Sequence, residues 1–133
     1  MARALREPQT IMHALAVRPV ARVLVVDDEA EVRQAIAELL MEEGHEVTVA
    51  ADAAEALSRL RTGLAPDVVL TDLRMPGMSG WELVTAIKAR YPGVRVGLIT
   101  GCLAQLPPTP SQQAAVDFVL EKPVDFQSLL GWL

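Results

Sequence analysis

Val23-Leu24-Val25-Val26-Asp27-Asp28-Glu29 is a run of four apolar residues that breaks abruptly into three carboxylates. Three of the four are β-branched, as in a short strand covered on both faces of a parallel sheet, and the acids mark its carboxyl end. A helical period follows. Val32, Ala35, Ile36, Leu39 and Leu40 recur at the spacing of one helix face, with Glu31, Arg33, Glu38 and Glu42 outside it and Gly44 as the stop. Residues Glu46–Ala50 alternate as an edge strand does, and Asp52 caps a helix carrying Ala53, Ala56, Leu57 and Leu60.

The unit then repeats. Val68-Val69-Leu70 reads as a second buried strand ending in Thr71-Asp72, and a turn-rich stretch from Arg74 to Gly80 leads into a helix with Leu83, Val84, Ile87 and Tyr91. Residues 94–99 and 116–120 read as two more strands, ending in Thr100 and in Glu121-Lys122-Pro123, and Asp125 caps a last helix with Phe126, Leu129, Leu130 and Leu133 on one face. Five strands alternating with helices predict one doubly wound α/β domain over residues 22–133. Short right-handed crossovers leave few topologies, and the flavodoxin-like order 2-1-3-4-5 is the one expected. Residues 1–21 read as a tail or linker, in which Ile11, Met12 and Leu15 could line a short helix between Pro8 and Pro19.

Composition narrows the function. The 133 residues are 51% hydrophobic, enough for a proper core, and carry a net charge of −5. Residues 1–22 hold a net +3, which leaves −8 for the remainder and argues against direct nucleic-acid binding. The single cysteine, Cys102, allows neither an internal disulfide nor a thiolate zinc cluster. No apolar run reaches the ~18 residues of a membrane span. A cytoplasmic protein without membrane insertion is expected.

In a doubly wound sheet, ligands sit outside the carboxyl ends of the strands, where the strand order reverses. Four strands here end in chemistry: Asp27-Asp28, Asp72, Thr100 and Lys122. Three carboxylates brought together repel one another and suit a hard divalent cation such as Mg²⁺. A metal and a lysine beside one free carboxylate are what an incoming phosphoryl group needs.

The strings Val25-Val26-Asp27-Asp28-Glu29, Thr71-Asp72-Leu73-Arg74-Met75-Pro76-Gly77-Met78-Ser79-Gly80, Leu98-Ile99-Thr100-Gly101 and Glu121-Lys122-Pro123 resemble the four signatures of response-regulator receiver domains. The resemblance covers residues 22–133. It implies that Asp72 is the phosphoacceptor and that Mg²⁺ is held by Asp28, Asp27, Asp72 and the backbone carbonyl of Arg74. It implies that Lys122 pairs with the acceptor and then with the phosphoryl group, aimed by a cis bond to Pro123. Thr100 matches the switch hydroxyl, with Gly101 leaving room beside it, and Arg74 and Cys102 occupy positions that tune the phosphoryl lifetime. The implied function is two-component signalling: a phosphoryl group arrives from a histidine kinase or phosphotransfer protein and alters a surface read by a downstream effector. Such a domain is no metabolic enzyme; it catalyses only its own phosphorylation and dephosphorylation.

Blander readings exist for each residue. Asp27 and Asp28 could be acidic helix caps, Asp72 a turn-former, Thr100 an ordinary strand-end residue and Lys122 a solvated one. His13 and His45 lack partners at metal-ligand spacing and read as surface residues, while Trp81 reads as packing. Two departures from the family also stand out. The position three before the lysine, often an aromatic switch residue, is Val119, with Phe118 on the opposite side of the strand. Pro107, Pro108 and Pro110 crowd the place of the fourth helix, which is expected to shrink to at most residues 111–115 behind a mobile loop. A phosphorylation-independent interaction module is therefore a competing function. An aspartyl-phosphate hydrolase of the haloacid-dehalogenase type is a weaker one, because it needs Asp-x-Asp where this chain has adjacent aspartates.

Overall fold

The computed structural model describes residues 20–133, so the tail, its short helix and His13 lie outside the described residues. Eleven elements follow in order: β1 (Arg22–Val26), α1 (Ala30–Glu42), β2 (Glu46–Ala50), α2 (Ala53–Arg61), β3 (Val68–Thr71), α3 (Gly80–Arg90), β4 (Arg95–Thr100), a 3₁₀ turn (Leu103–Gln105), α4 (Pro110–Ala115), β5 (Phe118–Glu121) and α5 (Phe126–Gly131). The five strands form one sheet in the order β2-β1-β3-β4-β5, with every neighbouring pair parallel. This is the order expected from the sequence. All five carboxyl ends open on the same edge, and the order reverses between β1 and β3.

The two faces of each central strand feed two cores. Leu24, Val26, Val69, Val96 and Leu98 pack against α2 and α3 through Ala56, Leu60, Trp81, Leu83, Val84 and Ile87. Val23, Val25, Val68, Leu70, Ile99 and Phe118 face α1 and α5 through Leu40, Leu129 and Leu130. Burial of each large aliphatic side chain contributes about 1.5–3 kcal/mol, so residues of β1 and β3, buried on both faces, anchor the sheet.

Three expectations need correction. The inner face of α1 is built on Ala37 and Leu40, with Val32 and Ile36 half-buried, whereas Ala35 and Leu39 are exposed. Ala37 and Leu40 are three positions apart and so share one face of the helix. His45 is buried: its Nδ1 accepts the Ala21 N–H at 3.0 Å, which ties the entry of β1 to the turn before β2. The fourth helix begins at Pro110 itself, because proline is tolerated at the first helical position; Thr109 caps it through a reciprocal bond pair with Gln112.

Phe118 lies on the α5 side of the sheet and Val119 on the other. Its ring covers Gly97, where an added Cβ would stand 2.2 Å from Phe118 Cε2 and Cζ. On its other side it stacks on Trp132, with centroids 4.7 Å apart and planes 8° from parallel. Gly97→Ala is expected to lose about 1–3 kcal/mol of stability to overpacking. Adding Phe118→Leu should recover part of that loss, by a coupling of about 0.5–3 kcal/mol. Denaturant unfolding of the four proteins of the cycle checks this, and strict additivity would refute the contact.

Candidate functional site

β1 delivers Asp27 and Asp28, β3 delivers Asp72, β4 delivers Thr100 and β5 delivers Lys122, all at the carboxyl edge. Carboxylate oxygens of Asp27, Asp28 and Asp72 lie within 4.8 Å of one another. The Lys122 ammonium stands 3.6 Å from Asp27 Oδ2 and 3.6 Å from Asp72 Oδ1. Above them opens a cleft of about 590 Å³ lined by Asp28, Asp72, Arg74, Gly101, Cys102 and Lys122, among others. The strand ends named from the sequence thus converge, and the Lys122–Pro123 bond is cis as expected.

Each acid is held differently. Asp27 is buried, with Oδ1 accepting the Glu29 N–H at 2.9 Å, while Asp28 is exposed at the cleft. Asp72 is 9% exposed and its Oδ1 accepts the Leu73 N–H at 2.8 Å. Burial, then the negative charge of Asp27, pushes the Asp72 carboxyl above its ordinary range; the Leu73 N–H and the Lys122 ammonium pull the other way without cancelling them. An acid in that position is short of positive charge. A divalent cation shared with Asp27 and Asp28 would meet the deficit, and a set made only of carboxylates and carbonyls is the donor chemistry of a hard ion.

The turn after Asp72 folds tightly back onto it. Gly80, the first residue of α3, donates its N–H to the Leu73 carbonyl at 2.7 Å, and Ser79 caps the helix with Glu82 in a reciprocal pair. A Cβ on Gly80 would lie 2.4 Å from the Asp72 carbonyl oxygen. Glycine is therefore required here by close approach and not by its backbone angles. The Thr71 hydroxyl, also buried, donates to the same Asp72 carbonyl at 2.9 Å.

Thr100 is fully buried, and its hydroxyl is committed within its own turn. It accepts the Cys102 N–H at 3.0 Å and lies 3.3 Å from Cys102 Sγ. Sequence reading missed this lock, as it missed Arg33. Arg33 falls outside the apolar face of α1 by period, yet its guanidinium reaches back to donate to the Asp27 carbonyl at 2.7 Å. A polar residue one turn into a helix carries no periodic signal that distinguishes a solvated guanidinium from one anchoring the acidic loop.

The family profile described as response regulator receiver domain matches residues 23–133. The chain belongs to that family. It is 37% identical over 111 residues to the response regulator protein FleR of Pseudomonas aeruginosa, covering 83% of this chain and 23% of that protein. It is 34% identical over 110 residues to the response regulator GacA of the same organism, covering 82% of this chain and 51% of that one. The receiver thus spans about half or less of the length of these relatives. Among solved structures, the response regulator TrrA of Thermotoga maritima in complex with Mg²⁺–BeF matches with a TM-score of 0.75 and 32% identity over 84% of this chain and 94% of that one. The chemotaxis response regulator CheY4 of Vibrio cholerae matches with a TM-score of 0.73 and 30% identity over 86% and 96%. Among the described residues, no helix of this receiver is long and apolar enough to cross a membrane.

Proposed function

We propose that this receiver is a phosphorylation switch of cytoplasmic two-component signalling, with Asp72 accepting a phosphoryl group from the phosphohistidine of a sensor kinase or phosphotransfer protein. The observation that carries the reading is the convergence of three carboxylates and one ammonium at the strand-order reversal, with the Asp72 carboxyl raised by burial and by Asp27.

The Asp72 carboxylate attacks phosphorus, forming an O–P bond as the donor N–P bond breaks and the electron pair leaves with the imidazole. The Lys122 ammonium, already beside Asp72, follows the charge onto a phosphoryl oxygen. The Thr100 hydroxyl moves and donates to another. Asp28, Asp27, Asp72 and the Arg74 carbonyl would hold Mg²⁺, which when bound supplies the positive charge that lets anionic donor and anionic acceptor meet. Catalysis by this protein is confined to its own phosphorylation and dephosphorylation, and the downstream effector is reached through the altered surface.

Intact-mass measurement after incubation with acetyl phosphate and Mg²⁺ tests the reading. A gain of one phosphoryl group that disappears with a chelator is expected. No gain from acetyl phosphate or from a phosphorylated histidine kinase would instead favour a receiver that binds partners independently of phosphate. The short α4 and the valine at position 119 favour that second reading.

A further inference from the structure

The β4–α4 connection is short of regular structure but not of specific bonds. Cys102 donates its N–H to Thr100 Oγ1 and accepts the Gln105 N–H at 3.0 Å, which forms the 3₁₀ turn Leu103–Gln105. Leu106 closes the turn on Leu103 at 3.3 Å, and its carbonyl accepts the indole N–H of Trp81 at 2.8 Å. Trp81 is 3% exposed and stands in the first turn of α3, directly after the Gly80 that packs on Asp72. Cys102, Leu103 and Leu106 all pack against the core cluster that contains Trp81.

These bonds form one chain from Thr100 to α3. Thr100 is fully buried and does not line the cleft, so giving its hydroxyl to a phosphoryl oxygen there requires it to move relative to the turn whose Cys102 N–H it accepts. A displaced hydroxyl keeps the Cys102 N–H as its partner only if the turn follows it. The turn is bonded internally up to Leu106, whose carbonyl Trp81 holds. Beyond lie Pro107, whose ring restricts Leu106, and Pro108, a stiff link between the turn and α4.

We propose that Trp81 is a positioning residue that latches the 102–106 turn in the resting state, so that movement of Thr100 reaches the proline-bearing face by release of the Trp81–Leu106 bond. This rests on the phosphoacceptor reading, and the test separates the two. In the ¹⁵N-labelled full chain the indole N–H signals of Trp81 and Trp132 are told apart with Trp132→Phe. Beryllofluoride with Mg²⁺ serves as the phosphoryl mimic. The expected result is a shift of the Trp81 indole N–H towards weaker hydrogen bonding and faster exchange, alongside a shift of the Leu73 amide. Thr100→Ala should keep the Leu73 response and lose the Trp81 response, and Thr100→Ser should restore it. Trp81→Phe, which keeps a ring but removes the donor, should bind the mimic roughly two- to tenfold more tightly, because a bond present only in the resting state is gone. A Leu73 response with an unmoved Trp81 indole in the parent chain overturns the latch while leaving the phosphoacceptor intact. So does unchanged or weaker binding by a folded Trp81→Phe. Silence at both Leu73 and Trp81 overturns the phosphoacceptor reading and the latch with it.

Discussion

Asp72→Asn is expected to take up no phosphoryl group and yet, with a chelator present, to melt a few degrees higher than the parent chain at neutral pH. Asparagine has nearly the same shape, keeps an oxygen for the Leu73 N–H and lacks the charge. In the folded chain the Asp72 carboxyl is raised, by burial first and by Asp27 second. A raised carboxyl binds its proton more tightly folded than unfolded, so its contribution to stability is present at low pH and is lost as pH rises through the folded value. At neutral pH the ionised group is a cost, and the variant removes it. The gap should therefore close on acidification. Mg²⁺ should reverse the order: a ligand at a hundred times its Kd stabilises by about 2.7 kcal/mol, and the parent offers three carboxylates where the variant offers two. Thermal unfolding with chelator and with Mg²⁺, at neutral and acid pH, checks each sign. A variant that melts lower in chelator at neutral pH would mean that the attraction of Lys122 outweighs burial and Asp27. Phosphoryl uptake by the variant would put the acceptor elsewhere.

Gly80→Ala is expected to be among the most damaging single-methyl changes in the chain. The added Cβ would meet the Asp72 carbonyl oxygen at 2.4 Å, Leu98 Cδ2 at 2.8 Å and Leu73 Cα at 2.9 Å. Two of the three obstacles are backbone and cannot rotate away, unlike the Phe118 ring over Gly97. Relief requires moving residues 72 and 73, so stability and site geometry are lost together. A loss of about 3 kcal/mol, at the upper end of overpacking penalties, would lower the melting temperature by more than about 10 °C in a domain of this size. Mg²⁺ affinity should fall with it. Gly93→Ala, where a Cβ meets nothing within 4 Å, provides the control and should be close to neutral. Melting of Gly80→Ala within a degree or two of the parent would show that α3 can step back from Asp72 without cost.

The fold was legible because four strands are apolar runs that end abruptly. Val23–Val26 and Val68–Leu70 have no polar residue to expose, so only a sheet covered on both sides accommodates them, and the residues after each run had to meet at one edge. The site was legible for the same reason, since Asp27, Asp28, Asp72, Thr100 and Lys122 are strand-end residues. What escaped the sequence depends on rotation and on backbone partners. Leu39 and Ala37 differ by two positions in α1, and Ala37 is buried while Leu39 is exposed, although leucine is the more hydrophobic. His45 looked polar and solitary; its buried acceptor role exists only because β1 brings the Ala21 N–H to it. The bond from Cys102 to Thr100, and that from Trp81 to Leu106, join residues whose relation has no period at all.

The proline-bearing segment has a consequence for recognition. Pro107, Pro108 and Pro110 have no backbone N–H, and the one between them, on Thr109, is already given to Gln112 Oε1 at 2.9 Å. The stretch from 107 to 110 thus has no main-chain donor left for an approaching strand, so it cannot template the ladder by which extended peptides add to an exposed edge. A protein docking on this segment would have to grip side chains and carbonyl oxygens. Its selectivity would then depend on where the prolines stand and not on whether a helix has formed.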